Sequence, residues 1–169
     1  MTYLNTARAK HDRVDRGFSL IELLIVVAII LVIAAIAIPN FMRSRIAANE
    51  SASVQNMRNI VTANVVYSST YGIGYASSLG TLGPPPGSGA PTVTNASLID
   101  DILALGTKSG YTYTYTPGSP VNGIVDSFIL QASPVNPGIT GNRYFFTDDS
   151  GVIRQNTSAL ATVSDVPIG

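Results

Sequence analysis

From Leu20 to Ile38 the chain runs through 19 residues, of which only Glu22 is not hydrophobic. A helix of that length spans about 29 Å, against about 30 Å for the hydrocarbon core of a bilayer. The run therefore predicts a membrane-crossing helix. Pro39 lacks the N–H that would bond the carbonyl of Ala35, and its ring crowds that turn, which predicts a kink or local melting. The neighbouring Ala34, Ala35 and Ala37 are small and permit close approach of other helices. Beyond Pro39 the pattern turns amphipathic. Ala47, Val54, Met57, Val61 and Val65 share one helical face, with Arg43, Glu50, Asn56 and Asn59 elsewhere. That stripe is expected to lie against a sheet, and the helix to end near Tyr71-Gly72. Tyr67, Tyr71 and Tyr75 recur every four residues, as packing and surface residues of the helix end.

Residues 72–95 are rich in Gly, Ser, Thr and Pro, and Gly83-Pro84-Pro85-Pro86-Gly87 continues neither a helix nor a central strand. A short helix is expected over 98–105, with Ser97 and Asp100 as a capping box and Gly106 as the stop. The whole connection runs over 72–110. Tyr111 to Thr116 alternates aromatic and hydroxyl residues, the period-2 signal of a half-buried strand. Ile124–Ala132 reads as a second strand. Arg143–Thr147 and Val152–Gln155 flank Asp148-Asp149-Ser150-Gly151, which reads as a hairpin turn. Local pairing of consecutive strands predicts an antiparallel sheet over 111–155, and the polar stretch 156–169 reads as a mobile tail. The expected fold class is α+β: a long N-terminal helix, transmembrane in one half and amphipathic in the other, packed on a small antiparallel sheet.

Composition removes several functions. Charged residues make up 12% and formal net charge is zero, so no field favours nucleic acid. With no cysteine, disulfides and thiolate metal sites are excluded. The single histidine, His11, lies ahead of the apolar run. No phosphate-cradling glycine motif precedes a Lys-Ser/Thr pair, so nucleotide hydrolysis is not expected. Neither catalytic residues nor a cofactor are expected. Asp148 and Asp149 offer carboxylate oxygens to Ca²⁺, although adjacent acids in a turn more often simply face water.

Charge is unevenly placed. Residues 1–17 carry Arg8, Lys10, Arg13 and Arg16 against Asp12 and Asp15, whereas from Phe18 onward six Lys/Arg face eight Asp/Glu. The positive-inside rule puts the basic stretch in the cytoplasm and residues 40–169 on the other side. A secretory signal has a shorter apolar core followed by a small-residue cleavage site, and neither occurs here. Glu22 is then the anomaly, since a carboxylate at the centre of a membrane helix costs about 2.5–3.5 kcal/mol, and less near its end. Such a charge needs a partner.

Arg16-Gly17-Phe18-Ser19-Leu20-Ile21-Glu22-Leu23 resembles the prepilin signature of type IV pilins and of the related pseudopilins of type II secretion. Tyr144 to Arg154 is similar, more weakly, to the closing hairpin of many such subunits. The resemblance implies that residues 1–17 are a leader, that a prepilin peptidase cuts between Gly17 and Phe18, and that the new amino terminus of Phe18 is methylated. It further implies a filament core built from residues 18–42, a head over 43–169 whose helical part runs over 43–71, and a proline such as Pro39 where the helix can lose order. Glu22 takes the place of the family's acidic residue. Cleavage would create an α-ammonium, with a reference pKa of about 8, as a partner for Glu22. The amine of the same chain lies about 6 Å along the helix; the amine of a neighbouring subunit is the other candidate, and the one the resemblance favours. The implied function is that of a structural subunit of a type IV pilus, with a type II pseudopilin as the alternative and a membrane-anchored binding module as a more distant one. Implied partners are other copies of the chain, the prepilin peptidase, an assembly ATPase with its inner-membrane platform, minor pilins and the membrane. The implied location is the inner membrane before assembly and the extracellular filament afterwards.

Overall fold

The computed structural model describes residues 17–87 and 89–168; the basic stretch and His11 lie outside the described residues. Helix α1 (Leu20–Tyr71) is 52 residues long and contains Pro39. The helix does not melt at Pro39: losing one N–H leaves the neighbouring turns bonded. Two compact units meet in sequence at Pro39/Asn40. In the first, every residue from Phe18 to Ile33 is exposed, as are Ala35 to Pro39, and Ala34 is half-buried. Among the described residues, α1 is the helix long and apolar enough to cross a membrane.

The second unit is an α+β head. The C-terminal part of α1 ends at Tyr71, where Gly72 takes a φ of 68° and donates its N–H to the carbonyl of Ser68. Two one-turn helices follow, α2 (Leu79–Leu82) capped by Ser78 and α3 (Asp101–Ala104) capped by Asp100. The strands are β1 (Thr107–Lys108), β2 (Tyr111–Pro117), β3 (Phe128–Pro134), β4 (Tyr144–Asp148), β5 (Arg154–Asn156) and β6 (Val166–Pro167). They form one antiparallel sheet in chain order, β1 to β6. Such a meander follows from short connections between consecutive strands.

On β2 the alternation works as expected: Tyr111 and Tyr113 are buried with Tyr115 half-buried, while Thr112, Thr114 and Thr116 are exposed. These tyrosines join Phe128, Leu130, Ala132 and Phe145 in a core closed by Met57, Ile60, Ala63 and Tyr67 of α1. Tyr67 and Tyr71 pack with ring centroids 4.9 Å apart, and Tyr75 meets Phe128 edge-on, so this tyrosine series is packing.

The structure differs from the sequence expectations in several places, and the second strand is Phe128–Pro134 rather than Ile124–Ala132, because Val121–Ile124 forms a turn bridge of its own. The buried face of α1 is Glu50, Ser53, Asn56, Met57, Ile60, Ala63, Asn64 and Tyr67; Ala47 and Val65 are exposed. Polar side chains enter because the sheet and loops supply partners. Asn56 Nδ2 donates to the Tyr113 hydroxyl at 3.0 Å, and Asn64 Oδ1 accepts from Ala76 N at 3.1 Å. The short helix is α3 rather than 98–105. Asp100, not Ser97, accepts from the N–H three residues on, and Ser97 takes a φ of 55°, outside any helix. Lastly, the stretch after Asn156 is a fastened loop rather than a loose tail. Asp165 accepts from Asn156 Nδ2 at 2.8 Å and from the Thr162 amide at 2.7 Å, and β6 extends the sheet past 155. Ala161 is fully buried and its carbonyl accepts from Gln131 Nε2, which covers Phe146 on the sheet face away from α1.

Candidate functional site

The segment that the sequence singled out is set up locally by the start of α1. Gly17, Phe18 and Ser19 precede the helix, and all three are exposed, with Phe18 at 85%. A Cβ added to Gly17 would meet nothing within 4 Å among the described residues, and its φ lies outside the left-handed region. Neither space nor backbone conformation demands glycine there. Gly17 is a glycine that the fold itself does not require.

Glu22 is the third residue of α1, and its Oε2 accepts the Ser19 N–H at 2.9 Å. Ser19 O in turn accepts from Leu23 N. Ser19-Leu20-Ile21-Glu22 therefore forms one arm of a capping box, a signature that was readable in the sequence as Ser-x-x-Glu. The bond satisfies an amide that would otherwise lack a helical partner, and the carboxylate sits where the helix dipole favours negative charge. The second oxygen, Oε1, takes no hydrogen bond among the described residues. An ionised carboxylate has capacity for several donors, so Glu22 keeps room for an ammonium. Phe18 is adjacent to the Ser19 amide that Glu22 already holds.

Pro39 lies inside α1 in the same unit. Asp148 and Asp149 fall in the β4–β5 turn, as the sequence suggested. Asp148 Oδ1 accepts from the amide of Ser150 at 3.0 Å and from its hydroxyl, and Asp148 O accepts from Gly151 N, at a φ of 72°. The first acid is thus occupied in forming the turn, while the second faces solvent. Among the described residues no three His, Cys, Asp or Glu side chains cluster as a metal site.

Sequence reasoning missed a polar centre in the head. Glu50, 7% exposed, accepts from the backbone amides of Asn142 at 2.8 Å and Arg143 at 3.2 Å, and its Oε2 lies 2.7 Å from Arg143 Nε. Arg143 Nη1 also donates to Gln155 Oε1, and Arg143 O accepts the Tyr111 hydroxyl. This centre ties α1 to β2, to β5 and to the residues that lead into β4, and is structural. Its one sequence signal was Glu50 as the single acid in the amphipathic part of α1, residues 43–71.

The family description "Prokaryotic N-terminal methylation motif" matches residues 12–38. The type IV major pilin protein PilA of Myxococcus xanthus (strain DK1622) is 51% identical over 49 residues, 29% of this chain. The match spans 22% of that relative's length. No solved structure matches. Type IV pilins are structural subunits rather than enzymes, and the apolar helix with its motif fits a membrane-anchored precursor. With this N-terminal segment on a long helix and a small antiparallel sheet, the chain has a type IV pilin-like arrangement, and its N-terminal stretch is similar to that of a type IV major pilin.

Proposed function

We propose that the chain is a precursor that is cut between Gly17 and Phe18, methylated on Phe18 and polymerised into a type IV pilus through its N-terminal helices. One observation carries this reading: Leu20 to Ile38 offers a largely exposed, almost wholly apolar helix surface headed by the carboxylate of Glu22. Before assembly that surface suits lipid; after extraction it needs other copies of itself to exclude water. The one charged residue in it, Glu22, then meets the Phe18 ammonium that cleavage creates, and a neighbour's amine fixes the stagger between helices. A Gly17 that the fold does not need is accounted for as the peptidase's requirement. The energy for extraction comes from an assembly ATPase at the inner membrane, since nothing in the chain supplies it, and minor pilins are the expected accessory subunits.

Two measurements on the native protein test the reading. Mass spectrometry should find a chain that begins at methylated Phe18; a chain that still carries the residues before Phe18 would overturn it. Electron microscopy of sheared cells should find long surface filaments made of this chain. Short filaments confined to the periplasm would instead assign a secretion pseudopilin.

A further inference from the structure

The charges of the head sort into those used internally and those left over. Lys108 pairs with Asp100 at 2.7 Å, Arg143 with Glu50, and Arg154 donates to the Asp165 carbonyl. Among the described residues of the head, Arg43, Arg45 and Arg58 have no hydrogen-bonded or ion-pair partner, and all three lie on α1. Of the acids, Asp101 and Asp149 have none.

Asp101 differs from Asp149 in its company. It opens α3, beside Ile102 and Leu105, which are 53% and 85% exposed. An acid with two exposed aliphatic side chains on one turn of helix forms a small knob of mixed character. This knob stands at the β1 end of the sheet, because α3 runs into β1 through Gly106, whose carbonyl accepts from Tyr113 N. At the other end of the sheet, where Ile168 N bonds to Ile153 O after β6, a groove runs beside α1. Its lining includes Ser51, Val54, Arg58, Arg143 and Ile168, with a volume of about 710 Å³. Arg58 is the free cation on its wall, and Val54 and Ile168 give it an apolar floor.

We infer that the partner of each surface is a second copy of this chain: the α3 knob of one head seats in the α1 groove of the next, with Asp101 against Arg58. The two surfaces differ and lie at opposite ends of one sheet, so the contact is heterologous. A heterologous contact that does not close on itself propagates as a helix, which is the symmetry of a filament. Charge complementarity sets which groove accepts the knob, and the aliphatic contacts exclude water from the pair. The inference rests on the polymer reading above and adds a contact between heads to the contact between helices.

The absence of cysteine allows a direct test on the full chain. Arg58→Cys and Asp101→Cys in one chain, under mild oxidation of assembled filaments, should give a ladder of covalent multimers. Each single variant should give no ladder. Filaments of the double variant that yield only monomers and dimers would overturn the contact. A charge exchange supplies the second measurement. Arg58→Asp alone and Asp101→Arg alone each place like charges together and should cut sheared filament yield about tenfold, while the two combined restore it. Both positions are exposed, so the variants fold. Normal yield from both single variants, or no recovery in the exchange, would overturn the inference while leaving the pilus reading intact. Absence of filaments from the unmodified chain would overturn both.

Discussion

Glu50 and Arg143, 93 residues apart in sequence, meet at 2.7 Å where α1 reaches the start of β4. The carboxylate is nearly buried, yet every part of it is used: one oxygen takes two backbone amides and the other takes the guanidinium. A fully buried pair often contributes little net stability against an apolar replacement, because desolvation offsets attraction. Here the two amides change the balance. Glu50→Ala leaves the Asn142 and Arg143 N–H groups without partners and should cost about 2–4 kcal/mol. Arg143→Met leaves the carboxylate with both amides and should cost less, about 1–2 kcal/mol. Urea unfolding followed by circular dichroism reads both, and equal losses would assign the stability to the ion pair rather than to the amides.

The same region sets the alkaline limit of the head. Burial pushes the phenols of Tyr111, Tyr113 and Tyr115 above the ordinary tyrosine value, with the Glu50 charge adding to the rise at Tyr111. A raised pKa in the folded state means that folding favours the protonated phenol. The stability this gives is complete below the unfolded value of about 10 and is lost as pH rises toward the folded values. The head should therefore unfold cooperatively above about pH 10, with the tyrosinate absorbance of these residues rising at the same pH as the loss of circular dichroism. Free titration of all tyrosines in a still-folded head would contradict the packing described here.

Sequence reading succeeded where the information was local. Tyr and Thr alternate along β2 because one face is buried, and both Gly72 and Gly106 stop helices in the left-handed region, with φ of 68° and 81°. The Asp148–Gly151 turn is likewise written into four consecutive residues. The buried stripe on α1 was not legible because its polar members are satisfied from afar. Glu50 depends on Asn142 and Arg143, Asn56 on Tyr113, and Asn64 on Ala76 and Tyr115. Hydropathy alone assigns such side chains to solvent. Near α3, two capping residues competed within four positions, and only the backbone of Ser97 decided for Asp100.

The C-terminal loop depends on one carboxylate. Asp165 gathers the Thr162 amide and hydroxyl and Asn156 Nδ2, while its own carbonyl accepts from Arg154. The Thr162 amide, with Asn156 next, holds its carboxyl below the usual range. A depressed pKa contributes stability above the unfolded value of about 4, and that contribution is lost as pH falls through the folded one. Asp165→Ala should therefore release residues 157–165 to proteolysis at neutral pH, and acidification below about pH 4 should do the same to the unmodified chain. The core between α1 and the sheet should keep its amide-exchange protection in both cases. Simultaneous loss of that protection would make the loop part of the main folding unit.

If the chain is processed and polymerised as proposed, substitution of Glu22 should separate cleavage from assembly. In the uncut chain its Oε2 holds the Ser19 amide at 2.9 Å, one residue from the bond to be cut, and Gly17 and Phe18 stand exposed outside the helix. On the proposed reading the peptidase needs that exposed bond and not the carboxylate charge. Glu22→Gln preserves an amide oxygen for Ser19 and hence the start of α1, so the variant should be cut and methylated as usual. It removes the negative charge that would meet the Phe18 ammonium of a neighbour in a low-dielectric filament core, where an uncompensated ion is costly. Sheared filaments should then be absent or severely reduced while mature subunits accumulate in the membrane. Ser19→Ala provides the contrast, because it keeps both the Ser19-position amide and the Glu22 charge. That variant should assemble; normal assembly of Glu22→Gln, which keeps the cap without the charge, would assign the carboxylate to capping rather than to pairing between subunits.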